Sequence, residues 1–532
     1  MLSRAAKALG IQRLPWQRSI CLAAAVSAGL VVAAIAGMLA LPGSAAADSS
    51  PAGLAPRASV VYAEAQVDPG DEREQWLRDI LRKFPGGANP ERALARLIDD
   101  GLRGAGLPLR FSVGIKPWLG DTVGGFVTVS GDGEPSGALL LATTSRARAR
   151  AAIAKVARKR GIRRSYRGIT YRVVASDIAA AVVERFAVIG DRRGVRQAID
   201  AARGRSLLGS RAYRSAIKTL PQGRLASFYV DARRSLSASV DAARLSRRER
   251  RLARRALGRL TRRPVIGAVS VEPRAVVFDA TLSRSLSSLV SPLLGGGTPL
   301  LATLPSDSWA ASAVPAAGRV LRRVIDVIAA SSGSDRGQTN RLFKRTTRLD
   351  LDRDVLSWIG DLGTFIRGTG SAVGGGVVIE SLDAATSAST LKRLVVLLRK
   401  RFNVSVATAT LPNGGRDYSL TTPFLAHPFH AAQKDGRVVL VYGDNAARLA
   451  LAGVPKLSDT PRYQEAAAAL VGGYAPSNYL SFGPLAAALR TLGLTDRGDV
   501  KLMRYVGRLD YLIAGTKAQG TTAQHHAKLV LK

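Results

Sequence analysis

Lys116-Pro117-Trp118-Leu119-Gly120-Asp121 and, 240 positions on from Trp118, Ser357-Trp358-Ile359-Gly360-Asp361 decide how this chain is built. A tryptophan, a glycine and an aspartate recurring at one spacing form an internal echo, and such echoes speak to architecture before local propensity does. Two readings of the motif compete. As structure, Trp seals a core, Gly takes a positive φ, and Asp hydrogen-bonds the amides of its own turn. As chemistry, two related halves contributing one aspartate each would make a carboxylate dyad sharing a proton. The flanking residues disfavour the dyad. An aspartic-protease loop needs Asp-Thr/Ser-Gly, whereas the chain has Asp121-Thr122-Val123-Gly124 and Asp361-Leu362-Gly363-Thr364. Pro117, Trp118, Gly120, Asp121, Trp358, Gly360 and Asp361 are therefore read as a fold-defining motif.

Outward from the motif, one programme runs twice. Leu109 to Ile115 reads as extended and leads into the first copy. Hairpin strands Phe126–Ser130 and Ala138–Thr143 follow, then a basic helix over 145–160 and three short strands, Tyr171–Val174, Ala179–Val183 and Phe186–Ile189. Asp191 can cap the next helix, and Tyr213 sits in the one after. In the second half Tyr463 lies 250 positions beyond Tyr213, in a helix opened by Thr460-Pro461. The expected division is a first α+β domain over 59–283, a linker over 284–306 rich in Gly and Pro, and a second α+β domain over 307–532. Adjacent short strands mixed with helices, without strict alternation, predict two tandem, internally duplicated domains. Each lays helices on one face of a curved antiparallel sheet.

The N-terminus reads as an export signal. Residues 1–19 carry Arg4, Lys7, Arg13 and Arg18. The uncharged run 20–41, 22 residues long, would span a bilayer core of roughly 30 Å as a helix. Positive charge before the run and none after it places the N-terminus inside and the body outside. Ser44-Ala45-Ala46-Ala47 fits a signal-peptidase site. The segment is thus a transmembrane anchor, or a signal whose cleavage after Ala47 releases a secreted protein. Residues 42–58, with Pro51, Gly53 and Pro56, read as a tether. The lone cysteine, Cys21, excludes an internal disulfide and any multi-cysteine metal site.

The chain is strongly basic: 78 Lys and Arg against 39 Asp and Glu, a formal charge of +39. Such an excess attracts polyanions, although Arg- and Ala-rich composition also follows from GC-rich coding. The densest stretches are Arg146 to Arg172 and Arg244 to Arg263. The latter holds ten arginines opposed by Glu249 within it and Asp241 just before it. Arg247, Arg248, Arg251 and Arg254 are its candidate polyanion surface. Interleaved aromatics and recognised reader modules are lacking, so nucleic acid is not the expected partner. Anionic lipid headgroups or cell-wall polymers are.

Several strings together resemble a family. They are Tyr62-Ala63-Glu64 leading to Asp68-Pro69-Gly70, Phe84-Pro85-Gly86, Lys116-Pro117-Trp118-Leu119-Gly120-Asp121, and the helix start at Gly190-Asp191. They resemble the bacterial, actinobacterial-type family catalogued as domain of unknown function 3352. The resemblance covers nearly the whole chain after the tether and implies export or a single N-terminal anchor. It implies no reaction. The second half departs from the pattern, with Ser357 in place of proline and Ile359 in place of leucine.

Catalytic strings are weak elsewhere. Ser215-Ala216-Ile217-Lys218 and Ser389-Thr390-Leu391-Lys392 match Ser-x-x-Lys without its Ser-Asp-Asn and Lys-Thr-Gly companions. No Gly-Lys-Ser/Thr loop is present, so nucleotide binding is unsupported. His427 and His430 flank a proline with no acidic neighbour in sequence. His525 and His526 would point to opposite faces of a strand. No cofactor or metal is expected. The reading is a non-enzymatic binding or scaffolding protein on the extracytoplasmic face of the membrane. A carrier of a hydrophobic or lipid-like ligand is the second reading, and an unrecognised hydrolase the third.

Overall fold

The computed structural model describes residues 50–532 apart from 68–70, 85–91, 93–94, 97–98, 101–109, 132, 158–160, 175–176, 243–245, 248–249, 252–253, 255–262, 295, 332–333, 403, 412–413, 424–425, 444–445, 453–454 and 492–502. The expected n-region, membrane-length run and first part of the tether, residues 1–49, lie outside the described residues. The chain divides into two units, Met1–Pro273 with Asp279–Ser283, and Arg274–Phe278 with Arg284–Lys532.

Unit 1 holds β1 (Val61–Gln66), β2 (Leu119–Val129), β3 (Pro135–Thr143), β4 (Ile162–Tyr166), β5 (Ile169–Val173), β6 (Ile178–Val183), β7 (Phe186–Asp191), β8 (Ala226–Val230) and β9 (Val265–Glu272). All pair antiparallel, in the order β4-β5-β6-β7-β3-β2-β1-β8-β9. β10 (Ala275–Ser283) is divided between the units. Unit 2 holds β11 (Ser308–Val314), β12 (Ile359–Arg367), β13 (Gly374–Ser381), β14 (Ser405–Thr410), β15 (Arg416–Thr421), β16 (Phe429–Lys434), β17 (Arg437–Tyr442), β18 (Ala475–Ser481), β19 (Leu509–Gln519) and β20 (Thr522–Leu531). Its antiparallel order is β14-β15-β16-β17-β13-β12-β11-β18-β19-β20. The chain is α+β with antiparallel sheet, as the sequence predicts.

The helices used below are α1 (Asp71–Arg82), α2 (Arg146–Ala157), α3 (Arg192–Asp200), α4 (Arg211–Ile217), α5 (Ala384–Phe402), α6 (Ala446–Ala452) and α7 (Pro461–Ala468). Helices cover both faces of the sheet, not the single face expected. In unit 1, α2 turns Ala149 and Ile153 onto Ala180 and Ala187. On the opposite face, α3 lays Val195, Ala198 and Ile199 over Ala179, Ala181 and Val188. In unit 2, α5 packs Leu391 and Val395 with Tyr418, Ala431 and Val438. Ala447 and Ala450 of α6 meet Ala432, Val439 and Val441 on the other face. Covering both faces explains why β6 and β7 read as continuous apolar runs and not as polar–apolar alternation. Asp191 caps α3 as the sequence implies: Oδ1 accepts from Gly194 N at 2.7 Å, and Oδ2 from Gly137 N at 2.6 Å.

Three segments differ from their reading. Within the tether stretch, Ala52, Leu54 and Ala55 are buried in the core of unit 1. Within the linker stretch, Arg284–Leu294 is helical, and Leu300, Leu301 and Leu304 belong to a unit 2 core. Pro and Gly punctuate these stretches, but the intervening apolar residues are what the cores take up. Phe111–Ile115, within the stretch read as extended, is a wide helical turn that buries Phe111 and Ile115.

Candidate functional site

The repeated motif sits at a helix-to-strand junction in both units. Trp118 is 3% exposed and Trp358 5%. Each indole N–H donates to the carbonyl four residues earlier, Trp118 Nε1 to Gly114 O at 2.6 Å and Trp358 Nε1 to Asp354 O at 3.0 Å. The ring thereby closes the turn that precedes it and fills the core beneath α2 or α5. Neither glycine needs a positive φ. A Cβ on Gly360 would stand 2.6 Å from Glu380 O, and one on Gly120 would stand 3.1 Å from Ala142 C, so close approach of a neighbouring strand is the constraint. Pro117 opens a short helical turn ending at Trp118.

The two aspartates differ, and neither bonds the amides of its own turn. Asp361 Oδ1 accepts from Ala316 N at 2.8 Å, and Oδ2 accepts from the Thr298 hydroxyl, so this carboxylate is committed to structure. Asp121 has Arg185 at 3.9 Å as its ion-pair partner and lines a cleft of about 500 Å³ within unit 1.

Glu64 lies on the wall of that cleft. Its Oε2 accepts from Tyr62 OH at 2.7 Å and Ser50 Oγ at 3.0 Å, its Oε1 from Ser227 Oγ at 3.1 Å, and Arg224 stands 3.9 Å away. Tyr62 and Tyr213 meet edge-to-face at 5.8 Å, as do Tyr213 and Tyr229 at 5.4 Å. Burial, reinforced by the Glu64 charge, holds the Tyr62 and Tyr213 hydroxyls well above the ordinary tyrosine range, so both stay protonated. Unit 2 repeats the aromatic pair, Tyr463 on Tyr479 at 5.4 Å, but not the polar cluster. Tyr62 faces Phe126 and Tyr229 across its strands, and Ala311 faces Phe365 and Tyr479. Glu64 faces Gly124, and Ala313 faces Gly363.

Part of the basic stretch Arg146 to Arg172 gathers on the α2 side of unit 1. Arg167 and Gly168, both at positive φ, make the two-residue turn between β4 and β5. That turn sets Arg163 directly opposite Arg172. Arg172 in turn faces Ala180, which lies in the core under α2, so both arginines are on the α2 side of the sheet. On α2 itself Arg146, Arg150 and Lys155 are exposed. Among the described residues none of these five cations forms an ion pair. The second basic stretch is partly described. Arg247, Arg251 and Arg254 are helical and exposed, and Arg248 lies outside the described residues.

His430 does have an acidic partner, thirteen residues back: Asp417 Oδ2 lies 2.9 Å from its Nδ1. His525 contacts Ser287 Oγ at 2.9 Å while His526 stacks on Tyr474, as opposite faces of β20 require. Among the described residues no three His, Cys, Asp or Glu side chains gather as metal ligands. Reading the sequence missed β4, whose Ile-Arg-Arg-Ser-Tyr lacks an apolar face, and it missed Glu64 and Arg224. The Arg167-Gly168 pair, between Tyr166 and the β-branched Ile169-Thr170, was the available hairpin signal.

No curated protein matches the chain. Among solved structures, crystal form I of TP0453 aligns with a TM-score of 0.26 at 10% identity, covering 47% of this chain and 88% of that one. Crystal form IV gives 0.26 at 11%, covering 47% and 86%. The sequence profile of the family described as "Protein of unknown function (DUF3352)" matches residues 20–482, and the chain belongs to that family.

Proposed function

We propose that the protein is a non-enzymatic binding module of the cell envelope that docks on phosphate- or carboxylate-bearing polyanions through the basic face of unit 1. The anions are phospholipid headgroups or wall polymers. The observation that carries this reading is the unneutralised pair Arg163–Arg172 on the sheet face covered by α2, whose Arg146, Arg150 and Lys155 are exposed. Like charges directly opposite on a sheet cost stability, and an anionic surface removes that cost. The uncharged run 20–41 would hold unit 1 next to the membrane, with the N-terminus inside.

The two units are read as products of a tandem duplication. Strand orders that match over nine strands, β1–β9 and β11–β19, the paired Trp-to-carbonyl bonds and the Tyr213–Tyr229 and Tyr463–Tyr479 contacts support it. So do matched bridges from the stretches read as tether and linker, Pro56 to Ser206 and Pro305 to Lys456. The repeat then begins before residue 59 and before residue 307. A cleft lined by Glu64, Asp121 and Arg224 does not favour a hydrophobic cargo.

Vesicle co-sedimentation of the protein at rising salt tests the docking, with phosphatidylglycerol vesicles and purified anionic wall polymer as separate arms. Binding to at least one arm should weaken steeply between 0.05 and 0.5 M salt, roughly in step with the Debye length. Salt-independent binding, or none, contradicts it.

A further inference from the structure

The helix Arg336–Thr347 of unit 2 buries none of its residues. Arg341, Lys344, Arg345 and the capping Arg348 recur along it at spacings of three and four, so they share one face, and all four are exposed. Leu342 borders that face and is 67% exposed. Cations in the last turn of a helix suit its dipole. The dipole accounts for neither Arg341, a turn earlier, nor a leucine left in water.

The neighbouring helix α5 has the same character. Its Leu391 and Val395 pack on the sheet, and its outward face carries Lys392, Val396, Arg399 and Lys400, again three and four apart. Val396 is 46% exposed with cations on either side. Two hydrogen bonds join the helices. Arg393, which flanks Val396, donates to Arg348 O at 2.6 Å, and Arg401 donates to Thr346 O at 3.3 Å. The carboxylates of this region are committed elsewhere. Asp326 pairs with Arg336, Asp352 with Arg322, and Asp354 with Arg353 and Arg393, while Asp350 accepts from Asn340 and two backbone amides. Among the described residues Arg341, Lys344, Arg345, Lys392, Arg399 and Lys400 form no ion pair.

We infer that these two helices carry a second docking surface, whose partner is a bilayer rich in anionic phospholipid. The cations meet headgroup phosphates, and Leu342 and Val396 enter the boundary between headgroups and acyl chains. Charge alone would suit a soluble polyanion equally well. The exposed apolar side chains among the cations favour a bilayer, because of the two partners only a bilayer takes them out of water. Docking by unit 2 does not depend on the Arg163–Arg172 pair of unit 1.

An environment-sensitive fluorophore on Leu342→Cys, in a full chain whose own cysteine is removed by Cys21→Ser, tests this. Phosphatidylglycerol vesicles at 0.1 M salt should raise its emission at least twofold and shift it to the blue. Phosphatidylcholine vesicles and soluble anionic wall polymer should leave it unchanged. So should phosphatidylglycerol with the fluorophore on Val471→Cys, an exposed site on neither helix. Adding Arg163→Glu separates the two surfaces: the response at Leu342→Cys should persist at higher vesicle concentration. In that Arg163→Glu chain, Lys344→Glu with Arg345→Glu should weaken vesicle affinity at least a further tenfold. No response at Leu342→Cys, its loss with Arg163→Glu, or an equal response to wall polymer or at Val471→Cys overturns the assignment. Unchanged affinity on adding Lys344→Glu and Arg345→Glu does so too.

Discussion

Arg163 of β4 stands directly across from Arg172 of β5, on the sheet face that α2 covers, and neither has a carboxylate partner among the described residues. Directly opposed like charges cost a strand pair roughly 0.2–1 kcal/mol. Charge at an edge strand also discourages pairing with another chain. Protection of the edge alone does not account for the pair, because β14, the corresponding edge of unit 2, is exposed and uncharged as Ser-Val-Ala-Thr-Ala-Thr. The positive cluster belongs to unit 1, where the proposed polyanion would dock.

Replacing Trp118 or Trp358 by Ala should destabilise its unit by about 3–5 kcal/mol, the range for large buried aromatics. Both lose packing beneath a helix and a bond that closes the preceding turn. Urea unfolding measures this. A loss under about 1 kcal/mol at either site would show that the indole is dispensable to the fold.

The glycines should rank. Gly360→Ala drives a Cβ to 2.6 Å from the backbone oxygen of Glu380, whereas Gly120→Ala meets Ala142 at 3.1 Å. Overpacking against backbone costs about 1–3 kcal/mol, so Gly360→Ala should lower the unfolding midpoint of unit 2 by more than Gly120→Ala lowers that of unit 1. The reverse order would mean that strand spacing does not select these glycines.

Alkali should unfold the protein through its tyrosines. Burial pushes Tyr229 and Tyr463 up to about 12 and raises Tyr62 and Tyr213 as well. The folded chain then keeps protons that the unfolded chain releases from about pH 10. Their contribution is whole below pH 10 and is lost as pH rises towards 12, at up to about 1.4 kcal/mol per group per pH unit. Urea midpoints at pH 8.5, 10 and 11 should fall, and Tyr463→Phe should fall less steeply. A flat profile rules this out.

Apolar spacing and punctuation made most elements legible. The Trp-x-Gly-Asp echo marked both junctions, and Asp191 was identifiable as a cap from its place before an apolar stripe. Burial of Pro51–Ala55 and Leu300–Leu304 was not legible, because whether a Pro-rich stretch joins a core depends on a surface that other strands build. Glu64 was hidden for a similar reason. It sits in a strand as an ordinary acidic residue, and its partners Ser227 and Arg224 come from 160 or more positions away. Arg163 and Arg172 were visible as charge but not as a cross-strand pair, since β4 lacks apolar alternation.

Arg163→Glu tests the central claim most directly, because it should move stability and binding in opposite senses. Facing Arg172, a glutamate makes an opposite-charge pair, so the urea midpoint should hold or rise by up to about 1 kcal/mol. The same change removes two units of positive charge from the docking face. Affinity for phosphatidylglycerol vesicles or anionic wall polymer at 0.1 M salt should drop at least tenfold. Wild-type affinity in a variant of undiminished stability would contradict the account.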